Sequence, residues 1–223
     1  MLRSVGALEA LFYDFVIVTE ADADRAFYDE INHRLVMAFD GRGIPNCLFL
    51  RAQNKQTVPD IIRPLRALGI PAAGIVDVDI YEEGGKTWAN LVESAGMDPT
   101  TAAGSATVRS RVKTAFDACP NQPAKLNGGV NALTGPDRQA AENLFDQLGE
   151  YGIFVVRHGE LEHWLPGIAP ERLHGPNWLV EAFKKMGEDT ADPSYLRPTH
   201  GDVWDFIGCV GTWLRNSKRK GLD

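Results

Sequence analysis

Phe15-Val16-Ile17-Val18-Thr19-Glu20-Ala21-Asp22-Ala23-Asp24 is an apolar run of strand length that ends in a carboxylate and reaches another carboxylate four residues later. Beyond it, Phe27, Ile31, Leu35 and Phe39 recur every four positions and mark one buried helix face. Asp22 is a good N-cap for that helix, because its side chain can accept from an early helical N–H. The stretch therefore predicts strand, turn and helix, with Glu20 at the C-terminal tip of the strand and Asp24 in the first helical turn. In open α/β sheets that rim is where ligands bind. Acids near a helix N-terminus are also stabilising in their own right, so two of them do not make a site.

The same rhythm repeats on both sides. Residues 1–12 read as a lead-in helix through Leu8 and Leu11, and Cys47-Leu48-Phe49-Leu50 as a second buried strand after the turn at Asp40-Gly41-Arg42-Gly43. Thr57-x-x-Asp60 is a variant capping box for a helix carrying Val58, Ile61, Ile62, Leu65 and Leu68. Pro64 is expected to kink that helix and Gly69 to end it. Ala72 to Asp79 is the third strand, and strand–helix–strand alternation of this kind argues for right-handed crossovers and a parallel sheet. Asp77 and Asp79, at i and i+2 on a strand, are expected to project to one face. Two carboxylates so placed repel, and one of them holds a proton unless a cation neutralises the pair.

From Tyr81 to about Pro136 the pattern weakens. Trp88, Leu91 and Val92 suggest a short helix ending near Gly96, and Val108, Val112 and Phe116 another, with Arg109, Arg111 and Lys113 on a solvated side. The Pro-, Gly- and Asn-rich stretch between Cys119 and Pro136 reads as an excursion or lid. A helix starting at Pro136 carries Ala140, Ala141, Leu144, Phe145 and Leu148 on one face, and Gly152 to Val156 is the fourth strand. That strand runs into Arg157-His158-Gly159-Glu160-Leu161-Glu162. The rest, with Trp164, Trp178, Phe183, Trp204, Phe206, Ile207 and Trp213, reads as helices packing on the sheet, followed by a small basic tail at residues 216–220. The expected organisation is one domain over 1–223, with an insertion at about 97–136 and a C-terminal helical part at about 166–223. The fold class is α/β, a Rossmann-like parallel four-stranded sheet flanked by helices.

Bulk composition narrows the function classes. With 223 residues, 44% of them hydrophobic, the chain can bury one substantial core. A net charge of −7 argues against a surface that is a phosphate-binding field throughout, although bound cations can bring a polyanion in locally. Cys47, Cys119 and Cys209 are far apart and odd in number, which fits neither a disulfide framework nor a zinc knuckle and suits a reducing cytoplasm. No apolar run approaches membrane-spanning length, and the N-terminus lacks a signal-peptide pattern.

Three strand ends each deliver two acids: Glu20 with Asp24, Asp77 with Asp79, and Glu160 with Glu162. Three pairs on one rim of one sheet are electrostatically costly without divalent metal. Hard oxygen ligands with no Cys/His cluster beside them select Mg²⁺ or Mn²⁺ over zinc. His158 and His163 flank the third pair but lack a further ligand at helical spacing. Such sites serve phosphoryl or phosphodiester transfer, with two ions roughly 3.5–4 Å apart.

Thr19-Glu20-Ala21-Asp22-Ala23-Asp24, Val76-Asp77-Val78-Asp79 and Phe154-Val155-Val156-Arg157-His158-Gly159-Glu160-Leu161-Glu162 together resemble a TOPRIM domain. The Gly-Glu-Leu-Glu segment narrows the resemblance to the C-terminal domain of OLD-family (overcoming lysogenisation defect) nucleases, over about Tyr13 to Leu165. The resemblance implies a metal-dependent endonuclease or nickase acting on DNA, with Glu20, Asp24, Asp77, Asp79, Glu160 and Glu162 as ligands of two ions. It gives Glu20 and Asp77 the catalytic roles, Glu20 as general acid/base or as ligand only. It also implies a lysine near the scissile phosphate, for which Lys184, Lys185, Lys218 and Lys220 are eligible, and a part in defence against phage. Relatives carry an ABC-type ATPase ahead of this domain, and no Gly-x-x-x-x-Gly-Lys-[Ser/Thr] loop occurs here, so the ATPase is expected as a separate region or partner. Ala21 stands where many relatives have Gly. A homodimer would supply two sites for two strands. The alternatives are a non-catalytic TOPRIM assembly module and a magnesium phosphatase with Asp77 as phosphoryl acceptor. The phosphatase expects its Asp-x-Asp on the first strand, not the third.

Overall fold

Four short apolar segments, β1 (Phe15–Thr19), β2 (Cys47–Arg51), β3 (Ala72–Asp77) and β4 (Ile153–Val156), pair in parallel in the spatial order β2-β1-β3-β4. The computed structural model describes residues 8–120, 123–170 and 173–221. Seven α-helices among the described residues flank the sheet: α1 (Asp22–Met37), α2 (Val58–Ala67), α3 (Gly85–Ser94), α4 (Pro99–Asp117), α5 (Gly135–Glu150), α6 (Gly175–Met186) and α7 (Asp202–Arg215). Both sheet faces are covered, which is why the strands read as continuous apolar runs.

The period of two along each strand divides the core. Val16, Val18 and Val76 face one layer with Ile61 and Ile62 of α2, Leu91 of α3, Phe116 of α4 and Leu144 of α5. Ile17, Ala73 and Ile75 face the other with Ile31 of α1, Trp178 of α6 and Trp204 of α7. Gly74 of β3 lets α2 approach, since a Cβ there would lie 2.8 Å from the Ile62 Cδ1 atom. From β1 the chain crosses on the α1 face to β2, then returns on the opposite face, past β1, to β3. The connections after β1 and β3 thus leave in opposite directions, and a crevice opens between those two strand ends.

Several local expectations change. The N-cap of α1 is Ala21, not Asp22; Asp22 is the first helical residue and pairs with Arg25 at 2.8 Å, while the Asp24 carboxylate bonds the Ala21 N–H at 3.0 Å. The turn before α2 is capped by Asn54, which accepts from the Thr57 N–H, rather than by Thr57 with Asp60. Pro64 lies inside α2 without ending it. Leu8 and Leu11 are 55% and 59% exposed around a short 3-10 helix at Glu9–Phe12; the rest of the expected lead-in helix lies outside the described residues. The apolar minority of α4 explains why its length was hidden: only Ser105, Val112 and Phe116 are buried, yet Phe116 stacks on Tyr81 at 4.2 Å and the helix packs along α5. Its cations are engaged: Arg109 donates to the Tyr81 carbonyl, Arg111 pairs with Asp137, and Lys113 pairs with Asp117. The basic tail is tied down too, with Arg219 over Trp213 and Lys220 on Glu150.

At the opposite rim one arginine closes the sheet. Arg66 donates to the carbonyls of Ala72, Tyr151 and Ser94 at 2.9, 2.9 and 3.4 Å and lies over Trp213. Arg66→Met removes the donor from buried acceptors and is expected to cost about 3 kcal/mol, read as a lower denaturant midpoint with an unchanged slope. A loss below about 0.5 kcal/mol would show that these carbonyls find other partners.

Candidate metal centre

The crevice between β1 and β3 is where the acids meet. Thr19 is fully buried, and its hydroxyl donates to the Ala21 carbonyl at 3.1 Å, which turns the chain so that Glu20 faces β3. The Glu20 carboxylate accepts the backbone N–H of Asp77 at 2.8 Å, so the first acid of one strand end is oriented by the backbone of the next. Strand β3 ends at Asp77 and the chain tightens into a 3-10 helix at Val78–Glu82. Asp77 and Asp79 therefore do not share a face by strand alternation, as the sequence suggested. Helical winding brings them together instead: oxygens of Glu20, Asp77 and Asp79 lie within 4.8 Å of one another.

A second group forms beside the first. After β4 the chain turns at Gly159, and oxygens of Glu160 and Glu162 lie within 4.8 Å of each other and of a ring nitrogen of His174. His174 Nδ1 is 3.7 Å from Glu160 and 3.9 Å from Glu162, and the Gly175 N–H at the start of α6 donates to Glu162 at 2.5 Å. Asp24 belongs to neither group by distance, although the charges of Asp77 and Glu162 reach it. His158 stands edge-on to Trp164, and His163 Nδ1 is 3.4 Å from the Glu160 N–H; neither enters a group.

Burial dominates the electrostatics. It pushes Glu20 up to about 8, with the negative charge of Asp77 adding to it. Burial and then Asp77 push Asp24 up to about 7, and burial and then Glu162 push Glu160 up to about 7. Asp77 is raised as well, because burial outweighs the cation beside it. At neutral pH the metal-free cluster is thus part-protonated, as expected of like charges confined together. The donor set fits a hard divalent cation. It is almost wholly carboxylate, and among the described residues Asp79 keeps Oδ1 buried with no hydrogen-bond partner, a lone pair that a cation would satisfy.

Two lysines missed in the sequence complete the site. Lys125, in a 3-10 turn at Ala124–Leu126, places its ammonium 2.5 Å from Asp77 and 3.8 Å from Glu160, spanning both groups. Lys55 sits 3.0 Å from Asp79 and 3.5 Å from Glu83 and also donates to the Asp79 carbonyl. Lys125 is the lone charged residue between Asp117 and Asp137, a signal the sequence did carry. The lysines eligible from the sequence lie elsewhere: Lys184 pairs with Glu181 near the end of α6, where Lys185 follows it, and Lys218 and Lys220 are near the end of α5 at the opposite rim. A cavity of about 530 Å³ adjoins the second group, walled by Leu126, Leu165, Ile168 and Trp178.

Of the stretch read as an excursion or lid, residues 121 and 122 lie outside the described residues, and the part around Lys125 and Val130 is packed against the end of β4. The Val130 N–H donates to the Arg157 carbonyl at 2.8 Å, and Gly159, at φ +130°, lies so close to the Lys125 carbonyl that a Cβ would collide with it. Gly159→Ala is expected to cost about 1–3 kcal/mol in denaturation and to displace the Lys125 turn. Unchanged stability would mean that the turn moves aside freely.

The chain matches no protein-family model, no curated protein and no solved structure. Among the described residues no helix is long and apolar enough to cross a membrane.

Proposed function

We propose that this chain is a Mg²⁺- or Mn²⁺-dependent phosphodiester hydrolase acting on DNA, a TOPRIM nuclease domain of the OLD type. One observation supports the reading: acids following three strands form two adjacent carboxylate groups, Glu20 with Asp77 and Asp79, and Glu160 with Glu162, joined by the Lys125 ammonium, and among the described residues Asp79 keeps a buried oxygen without a partner. DNA as substrate, a linked ABC-type ATPase and a part in phage defence rest on the resemblance of the three acidic segments alone.

Glu20, Asp77 and Asp79 would hold one divalent ion, and Glu160 and Glu162, with His174, a second. Bound there, the ions supply charge neutralisation at the scissile phosphate and activation of water. The chain's own groups do the positioning. The Asp77 N–H fixes Glu20, the Gly175 N–H fixes Glu162, and the Ala21 N–H holds Asp24 Oδ2, leaving Oδ1 to accept a proton. In hydrolysis the water oxygen bonds to phosphorus, the P–O ester bond breaks, and the leaving oxygen takes a proton.

A non-catalytic assembly module is the second reading, favoured by the neutralisation of Asp77 and Asp79 by Lys125 and Lys55 without metal. Incubation of supercoiled and linear plasmid with Mg²⁺, Mn²⁺ or EDTA separates the two. Nicking or cutting that EDTA stops is the expected result; intact plasmid in every metal would favour the module.

A further inference from the structure

Lys125 reaches the acids from a turn whose backbone is tied down, while its side chain stays partly open to solvent. The turn is wedged against Gly159, which itself accepts the Val78 N–H at 3.2 Å, so the backbone is tied to the ends of both β3 and β4. The side chain is 28% exposed, and among the described residues its ammonium pairs with Asp77 and Glu160, one carboxylate from each group. Lys55 differs. It is 13% exposed and has the Asp79 carbonyl as well as two carboxylates, so it is held at three points. A long flexible stem ending in a point charge, open to water on one side, can leave a site that a fixed cation cannot.

We propose that Lys125 is a tethered counter-ion that occupies the seam between the two carboxylate groups and is displaced by a divalent ion, so that this residue sets the metal concentration at which the site loads. The proposal rests on the metal-dependent reading of the site and concerns its regulation. Ammonium and metal compete for the same Asp77 and Glu160 oxygens, and competition between two ligands for one set of groups is reciprocal. Removing the ammonium therefore tightens metal binding, the reverse of what loss of a merely structural ion pair would do.

Calorimetric titration of the full chain with Mn²⁺ tests this. Lys125→Met and Lys125→Gln are expected to bind Mn²⁺ about tenfold more tightly than the unaltered chain. Lys125→Arg keeps the charge and is expected to stay close to the unaltered affinity, as is Lys113→Met on the exposed face of α4. Wild-type or weaker affinity in the charge-removing variants would overturn the proposal, and Lys125→Gln keeps the test open should Lys125→Met fail to fold. Tighter Mn²⁺ binding without DNA cleavage by any of these proteins would uphold the counter-ion role and overturn the nuclease reading. No Mn²⁺ binding by any of them would overturn both.

Discussion

Glu20→Gln is expected to lower metal-dependent DNA cleavage by about 10²–10³-fold while making the metal-free protein more stable near pH 8. The two effects have one cause. Glu20 is an acid that burial and Asp77 disfavour in its charged form, so neutralising it relieves a cost that only a cation otherwise offsets. Glutamine keeps the oxygen that accepts the Asp77 N–H, so the crevice retains its shape. Plasmid nicking in Mn²⁺ and thermal melting in EDTA read the two quantities separately. Asp77→Asn is expected to lower cleavage to a similar extent, but without the gain in stability, because Lys125 loses its closest partner. A Glu20→Gln protein that cleaves at the unaltered rate would remove Glu20 from the chemistry.

Metal-free stability is expected to fall as pH rises from about 5 to about 8, and divalent metal is expected to abolish most of that fall. Glu20 titrates near 4.5 when unfolded and about 8 when folded, Asp24 near 3.8 and about 7, and Glu160 near 4.5 and about 7. Within those windows the native chain holds protons that the unfolded chain has released. Stability is therefore highest below the unfolded values, is lost as pH rises, and levels off above the folded values. Each group in mid-window contributes a slope of about 1.4 kcal/mol per pH unit at most. A metal that binds the native carboxylates alone adds stability by mass action, most strongly at high pH where no proton competes. Melting temperatures in EDTA that rise with pH over this range would contradict the assignment of these carboxyls as buried and unneutralised.

Much of this site was legible because strand ends are written locally. An apolar run followed by an acid and a period-four helix fixes where Glu20 lies, and the same grammar places Asp77 and Glu160. What failed depended on the turn of the backbone or on distance in sequence. Asp77 and Asp79 converge through a 3-10 helix, which two residues of sequence do not distinguish from two more residues of strand. Asp22 has the chemistry of an N-cap, but the helix begins one residue earlier and Asp24 takes the free N–H. The helix over Val108 to Phe116 was legible, but its start at Pro99 was not, because α4 is rich in Ala, Ser and Thr and buries only a narrow stripe. Lys125, Lys55 and His174 reach the acids from connections far along the chain, and no periodicity announces a cation that folds back onto a strand end.

Titration of the full chain with Mn²⁺ followed by electron paramagnetic resonance tests the metal centre most directly, since free Mn²⁺ gives a sharp signal that carboxylate binding removes. The convergence of Glu20, Asp77, Asp79, Glu160 and Glu162 predicts loss of that signal until two ions are bound per chain, with Glu20→Gln restoring part of it. A free-ion signal undiminished by the protein, with the protein in molar excess over Mn²⁺, would contradict a metal centre in the crevice.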